Sequence, residues 1–227
     1  MKTLLATVAA LGVFAQSAMA FEFTGGDVAL RWGHNKDFNQ TQVSGNLAFG
    51  LSGAIGMQVG LKFADYTDDT VARSGEVQLT YDLGATDLAA FVGSETFGGN
   101  DDYTYFGVAT AFTSGPVAIK AAISSYEDSH SAWHSTDLFI DGEYSFGQRS
   151  ALLGGAHTSH SSSGWTDKYF YMGVSYEVMP NVDLSVTYGN HKWNTDNVNV
   201  ATLGVTYDFG QGATFGQHSF TDLYPSD

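Results

Sequence analysis

Apolar and polar residues alternate along this chain with a period of two, the signature of a β-strand with one apolar face and one wet face. Twelve successive runs carry the pattern: Asp27 to Gly33, Gln42 to Leu51, Ala54 to Ala64, Ser74 to Asp82, Asp87 to Glu95, Tyr103 to Phe112, Val117 through Ile123, Thr136 to Phe146, Ser150 to His157, Phe170 to Tyr176, Val182 to Tyr188 and Ala201 to Phe209. The last is the clearest, with Leu203, Val205, Tyr207 and Phe209 on one face and Thr202, Gly204, Thr206 and Asp208 on the other. The ninth is the weakest, because Leu152 and Leu153 are adjacent and leave its phase open. One phrase recurs: Leu79-Thr80-Tyr81-Asp82-Leu83-Gly84 returns as Val205-Thr206-Tyr207-Asp208-Phe209-Gly210, with echoes at Glu143-Tyr144-Ser145-Phe146-Gly147 and Ser175-Tyr176-Glu177-Val178. Aromatics therefore collect at one end of strand after strand, at Tyr81, Phe112, Tyr144, Tyr176, Tyr207 and Phe209, as on the lower rim of a transmembrane barrel.

The links between runs alternate in length. Short ones lie at Ser52-Gly53, Leu83 to Thr86, Thr113 to Gly115, Gly147 to Arg149 and Met179 to Asn181. Longer polar ones lie at Tyr66 to Arg73, Thr96 to Asp102, Tyr126 to Ser135, Thr158 to Lys168 and Asn190 to Asn197. Short turns at one end and long loops at the other predict an all-β fold: a single antiparallel transmembrane β-barrel of about twelve strands, with ten or eight as alternatives, over residues 21–209. An even strand count returns both termini to the periplasm and points the loops outward. A soluble β-sandwich is the competing fold. It would bury the same apolar face between two sheets, but it leaves edges to protect and mixes crossovers with hairpins, whereas these links read as hairpins throughout.

Residues 1–20 read as a cleaved signal peptide, with Lys2, an apolar core from Leu4 to Phe14, and the small-residue site Ser17-Ala18-Met19-Ala20. That core is too short to span ~30 Å of hydrocarbon. An exported chain with no Cys has no disulfide framework, so its stability must come from strand pairing or burial. The chain has only three Pro, which suits many uninterrupted strands. Removing the leader takes away Lys2 and leaves eight Lys and Arg against 24 Asp and Glu, a formal charge of −16, which excludes nucleic acid as a partner. Residues 210–227 lack the pattern and are expected as a periplasmic C-terminal tail, either a mobile extension or a short plug.

The leader, the alternating runs and the aromatic-ended Val205-Thr206-Tyr207-Asp208-Phe209 together resemble a small Gram-negative outer-membrane β-barrel porin, similar in size to the twelve-stranded porins specific for acidic sugars. The resemblance implies an outer-membrane location and outer-membrane lipid as a partner. It also implies a last strand read by the barrel assembly machinery through Tyr207 and Phe209. Here that strand is followed by eighteen further residues, a departure from the usual pattern. Those sugar porins have Arg-lined lumens, and only Arg31 among the arginines faces inward in this phasing, so their substrate is not carried over.

If the apolar faces meet lipid, the opposite faces line a lumen, and they are mostly small or neutral: Gln42, Ser44 and Asn46, then Gly56, Gln58 and Gly60, then Gln78, Thr80 and Gly93. Small lumen residues in a barrel of intermediate width favour a narrow water-filled pore over a packed interior. The inward charges are Arg31, Lys62 and Lys120 against Glu76, Asp141 and Glu143. Centring the long hairpins puts Lys62 opposite Glu76 and Lys120 opposite Asp141, either as cross-strand pairs or as charges reaching pore water. With the lysines neutralised, the remaining carboxylates predict a preference for cations. The expected function is passive diffusion of small hydrophilic solutes, without catalysis or cofactor. The alternative is a non-conducting barrel that displays extracellular loops for adhesion or structural roles.

Two other chemistries have candidate residues in the sequence. The spacings of His130 to His134 and of His157 to His160 allow two imidazoles to meet one metal in a loop. Against this stands plain loop polarity. The Ser-rich stretch His157 to Ser163 holds the residue types of a hydrolase, yet no third residue is evident to orient the base. The aromatics Trp32, Phe63, Tyr103, Phe170, Tyr188 and Trp193 near the other strand ends predict a second interfacial girdle. Inward Tyr105, Phe91, Phe139, Tyr169 and Tyr171 are the candidates for a sugar-stacking slide.

Overall fold

A computed structural model describes residues 21–35, 39–67, 70–98, 101–193 and 196–218 of the chain, so the predicted signal peptide and the end of the tail lie outside the described residues. Twelve strands follow one another: β1 (Glu22–His34), β2 (Asn39–Ser52), β3 (Ile55–Tyr66), β4 (Val71–Asp82), β5 (Thr86–Phe97), β6 (Asp101–Ser114), β7 (Val117–Asp128), β8 (His134–Phe146), β9 (Ser150–Ser161), β10 (Thr166–Met179), β11 (Val182–Trp193) and β12 (Asp196–Gly210). Each pairs antiparallel with its neighbours in sequence, and β1 pairs with β12, so the sheet closes into a barrel without an edge.

The side chains on the two faces separate as the period demands. Leu79, Val174, Leu184 and Val205, which a sandwich would bury, are 51, 49, 37 and 40% exposed on the outer wall. Leu61 and Met172 are exposed there as well, and an apolar belt of this extent has no place on a water-soluble surface. On the end that carries the termini, Tyr81, Phe112, Tyr144, Tyr176 and Tyr207 point outward, while Phe209 is partly covered by Phe23 at a ring separation of 6.1 Å. Trp32, Phe63, Phe170 and Tyr188 are exposed nearer the other end. The predicted girdle residue Tyr103 is corrected: it shares the inward face with Tyr105 and packs against Trp133 at 5.7 Å. The ambiguous ninth run resolves with Leu152 outward and Ala151 buried inside.

The predicted long loops are corrected too. The links at that end are two to five residues long, and most of the polar stretches assigned to them are strand. The ladder continues past the apolar belt, where the outward face turns polar and alternation loses the apolar residues that reveal it. Polar cross-strand contacts take over: Thr96 Oγ1 donates to Asp102 Oδ1 at 2.9 Å, and Asn190 Nδ2 donates to Asn199 Oδ1 at 2.9 Å. Most of the Ser-rich stretch, His157 to Ser161, is likewise part of β9, and Ser162 and Ser163 lie in the link to β10.

Candidate functional site in the barrel lumen

The inward face begins with the charges. Lys120 lies directly across from Asp141 in the β7–β8 ladder. Its charge is felt by Asp141, Asp27, Glu143 and Asp208, four carboxylates drawn from three strands. Lys120, Asp141, Glu143 and Arg31 all point inward yet are exposed, so this part of the lumen is an open chamber. Tyr171 on β10 borders it, its hydroxyl donating to Asp141 Oδ1 at 2.6 Å. Asn46 Nδ2 donates to Asp27 at 3.0 Å on the β1 and β2 side.

Lys62 and Glu76 are not direct partners in the β3–β4 ladder. The β3–β4 turn closes between Tyr66 and Thr70, which sets Lys62 opposite Ser74 and Glu76 opposite Gly60. This slip of two residues keeps both side chains on the predicted face while changing the residue directly across from each. Glu76 and Lys62 are both buried.

What Glu76 meets is the tail. After β12 the chain turns at Gly210 and Gly212, both with positive φ, and re-enters the barrel from the end that carries the termini. A side chain at Gly210 would collide with the backbone of Thr24, so the turn requires glycine there. Phe215 then packs among Ala89, Phe91, Ala109, Ala111, Ala122 and Tyr126 and is 1% exposed. His218 stacks on Phe91 at 4.1 Å, its backbone N–H donates to Glu76 Oε2 at 3.0 Å, and its Nδ1 lies 3.1 Å from Glu76 Oε1. Of the two expectations for the tail, a periplasmic extension and a plug, residues 213–218 follow the second.

Beyond the tail the lumen is packed, in contrast to the open pore predicted from its small residues. Those small residues are the complement of large ones across the ladder. Gly107 lies under the ring of Phe91 and Gly155 under that of Tyr171, so that each glycine makes room for a ring that fills the interior. Tyr105 and Tyr126 stack at 4.8 Å, and both are fully buried. Phe139 stacks on His157 at 4.1 Å. Toward the end away from the termini, Asp167 and His191 form a buried pair with Nε2 2.8 Å from both carboxylate oxygens. Asp137, Ser135 and Ser159 are buried beside one another there.

The metal candidates separate. His157 and His160 are three apart on one strand and so point to opposite faces: His157 is buried inside, while His160 is exposed and bonds Thr166 Oγ1 at 3.0 Å. His130 lies beside Asp128 in the β7–β8 link, and the His134 ring turns to Ala132 O at 3.3 Å. Among the described residues no group of three His, Asp or Glu is placed to hold a metal ion.

Sequence reasoning missed Gln58, Gln78 and Tyr126 as the residues that receive the tail. The available signal was Gly210-Gln211-Gly212, a flexible turn followed by Phe215, Gln217 and His218 in a stretch otherwise taken as polar extension.

No family model matches the chain, and no curated protein sequence matches it. Solved structures do. A KdgM porin superposes with a TM-score of 0.63 over 80% of this chain and 98% of that one, at 12% identity. A NanC porin gives 0.62 over 80% and 98%, at 10% identity. A KdgM porin in complex with disordered oligogalacturonate gives 0.62 over the same shares, at 11% identity. At these identities what is shared is the fold: the closed, twelve-stranded, antiparallel barrel of small outer-membrane porins.

Proposed function

We propose that this chain is an outer-membrane channel for small hydrophilic solutes, with both termini on the periplasmic side and a preference for cations. The observation that carries the reading is the division of the barrel wall: an uninterrupted apolar belt faces out, while charged and amide side chains face an enclosed lumen. Water on the outside would leave the belt unpaid for, and lipid satisfies it. The barrel assembly machinery is the implied folding partner, with Tyr207 and Phe209 on the closing strand as its contact.

The charge sign follows from the chamber. Lys120 is surrounded by carboxylates, and inward Asp and Glu outnumber Arg31, Lys62 and Lys120 around the lumen. Fixed negative charge in a narrow water-filled space concentrates cations and repels anions. This differs in sign from what an acidic oligosaccharide needs, so the oligogalacturonate of the KdgM complex is not the proposed solute. Catalysis has no part in the reading.

Reconstitution in planar bilayers tests it. Unitary current steps, with a reversal potential in a KCl gradient displaced toward the potassium equilibrium value, are expected. Anion preference would overturn the selectivity. A second reading, a barrel that conducts nothing and serves as a stable display scaffold, is favoured by the packed outer lumen, and complete absence of steps would select it.

A further inference from the structure

The lumen holds a seat for a peptide, and the chain fills it with its own residues. Gln58 on β3 reads the tail backbone with both ends of its amide: Oε1 accepts from Thr214 N at 3.2 Å and Phe215 N at 3.3 Å, and Nε2 donates to Phe215 O at 3.0 Å. One step along the barrel wall, Gln78 Nε2 donates to Gly216 O at 2.9 Å. Tyr126 donates its hydroxyl proton to His218 O from the β7 wall. Backbone groups of Thr214, Phe215, Gly216 and His218 are thus each met by a side chain of the wall.

The side chains of the segment are matched as well. Phe215 fills an alanine-lined pocket, Gln217 accepts from Ser74 Oγ at 3.2 Å, and His218 covers Glu76. Glu76 is 2% exposed, and the tail supplies two of its contacts; Gln78 Nε2, at 2.6 Å, supplies another. A carboxylate this buried is costly unless hydrogen-bonded, so wall and segment are built for each other. The two glycines at Gly210 and Gly212 tether the segment at the mouth, which holds it at high effective concentration without fixing it covalently in the lumen.

We propose that residues 214–218 are a tethered peptide ligand, seated on Gln58, Gln78, Glu76 and Tyr126, that holds the channel in a narrow, low-conductance state, and that release of this segment widens it. The inference rests on the channel reading above and assigns the regulation of that same lumen. The chemistry of the seat, paired amides for an extended backbone, an apolar pocket and an acid for an imidazole, defines its ligand class as an extended peptide with an aromatic residue followed three positions later by histidine.

The test compares single-channel records of the full chain, of a chain ending at Gly210, and of the full-length double variant Gln58→Ala with Gln78→Ala. The shortened chain is expected to show unitary conductance severalfold above that of the full chain. The double variant keeps the tail but loses its amide contacts, and it is expected to spend severalfold more time in the larger conductance state. Equal conductance and open time in the full and shortened chains would overturn the proposal. Should the shortened chain fail to insert, an unchanged record for the double variant against the full chain would overturn it equally. If neither the full nor the shortened chain conducts, the channel reading itself falls, and the gate with it; a conducting full chain unaffected by tail removal refutes the gate alone.

Discussion

The ring of Tyr105 lies flat against the bare α-carbon of Gly93, its direct partner in the β5–β6 ladder. A Cβ added to Gly93 would come within 2.7 Å of Tyr105 Cε2 and closer still to Cζ and Oη. Tyr105 cannot swing away, because it is fully buried between Phe91 and the stacked Tyr126. Gly93→Ala is therefore expected to lower the stability of the folded barrel by about 1–3 kcal/mol through overpacking. Gly75, which faces outward with only a Leu61 methyl at 3.5 Å, provides the control, and Gly75→Ala should stay within about 0.5 kcal/mol. Urea unfolding in lipid vesicles measures both, and equal effects would mean that the ring does not need the glycine.

Lipid contact makes a second prediction. Val108 is at the middle of β6 and 55% exposed on the outer wall, while Thr104 lies on the same face nearer the link to β5. A cationic side chain at the bilayer midplane costs about 2–4 kcal/mol, and near the interface about 0–1 kcal/mol. Val108→Arg should destabilise the barrel in vesicles by the larger amount and Thr104→Arg by the smaller. On a surface that faced water both substitutions would be harmless, so a flat result would remove the membrane from the reading.

The parts of this fold that were legible in the chain are those that alternation encodes. Which residues face outward, the antiparallel order and the closure of an even number of strands follow from runs such as Leu203, Val205 and Tyr207, because lipid on one side imposes period two. Strand ends were not legible, since beyond the apolar belt Asn190 and Asn199 pair polar with polar and leave no periodic trace. Register was legible only modulo two: Lys62 kept its face while exchanging Glu76 for Ser74. The filling of the lumen was not legible either. Gly93 reads as open space until its cross-strand partner is known to be Tyr105, and a small residue beside a large one packs a barrel that small residues alone would leave empty. The tail was hidden for a related reason, because Gln58 and Gln78 look like neutral pore lining until a second backbone lies alongside them.

The Asp167–His191 pair gives a stability prediction with a rank order. Both side chains are almost completely buried, and the imidazole Nε2 is equidistant from the two carboxylate oxygens at 2.8 Å. His191→Ala leaves a desolvated carboxylate without this partner, at a cost of about 1–3 kcal/mol or more. Asp167→Asn retains an oxygen that can accept from the ring and removes the charge, so its loss should be the smaller of the two. Unfolding midpoints in vesicles at neutral pH check the order, and a reversal would mean that the carboxylate is not held by the histidine.

The chamber around Lys120 sets the last prediction. Lys120 faces Asp141 across the ladder and also feels Asp27, Glu143 and Asp208, while its side chain remains open to the lumen. Lys120→Gln should raise the potassium-to-chloride permeability ratio, because it removes the cation from a ring of carboxylates. The double variant Asp141→Asn with Glu143→Gln should lower that ratio, bringing the chamber toward neutrality with Lys120 intact. These charges act through lumen water, so screening decides their reach: the Debye length is ≈ 10 Å at 0.1 M salt and ≈ 3 Å at 1 M. Reversal potentials measured at equal salt ratios around those two concentrations should therefore differ strongly among the variants in dilute salt and converge in concentrated salt. Recording them both in the full chain and in the chain ending at Gly210 separates the chamber from the tail. If the ranking persists without residues 211–227, the selectivity belongs to the wall charges; if it vanishes, the path of the ions does not pass Lys120.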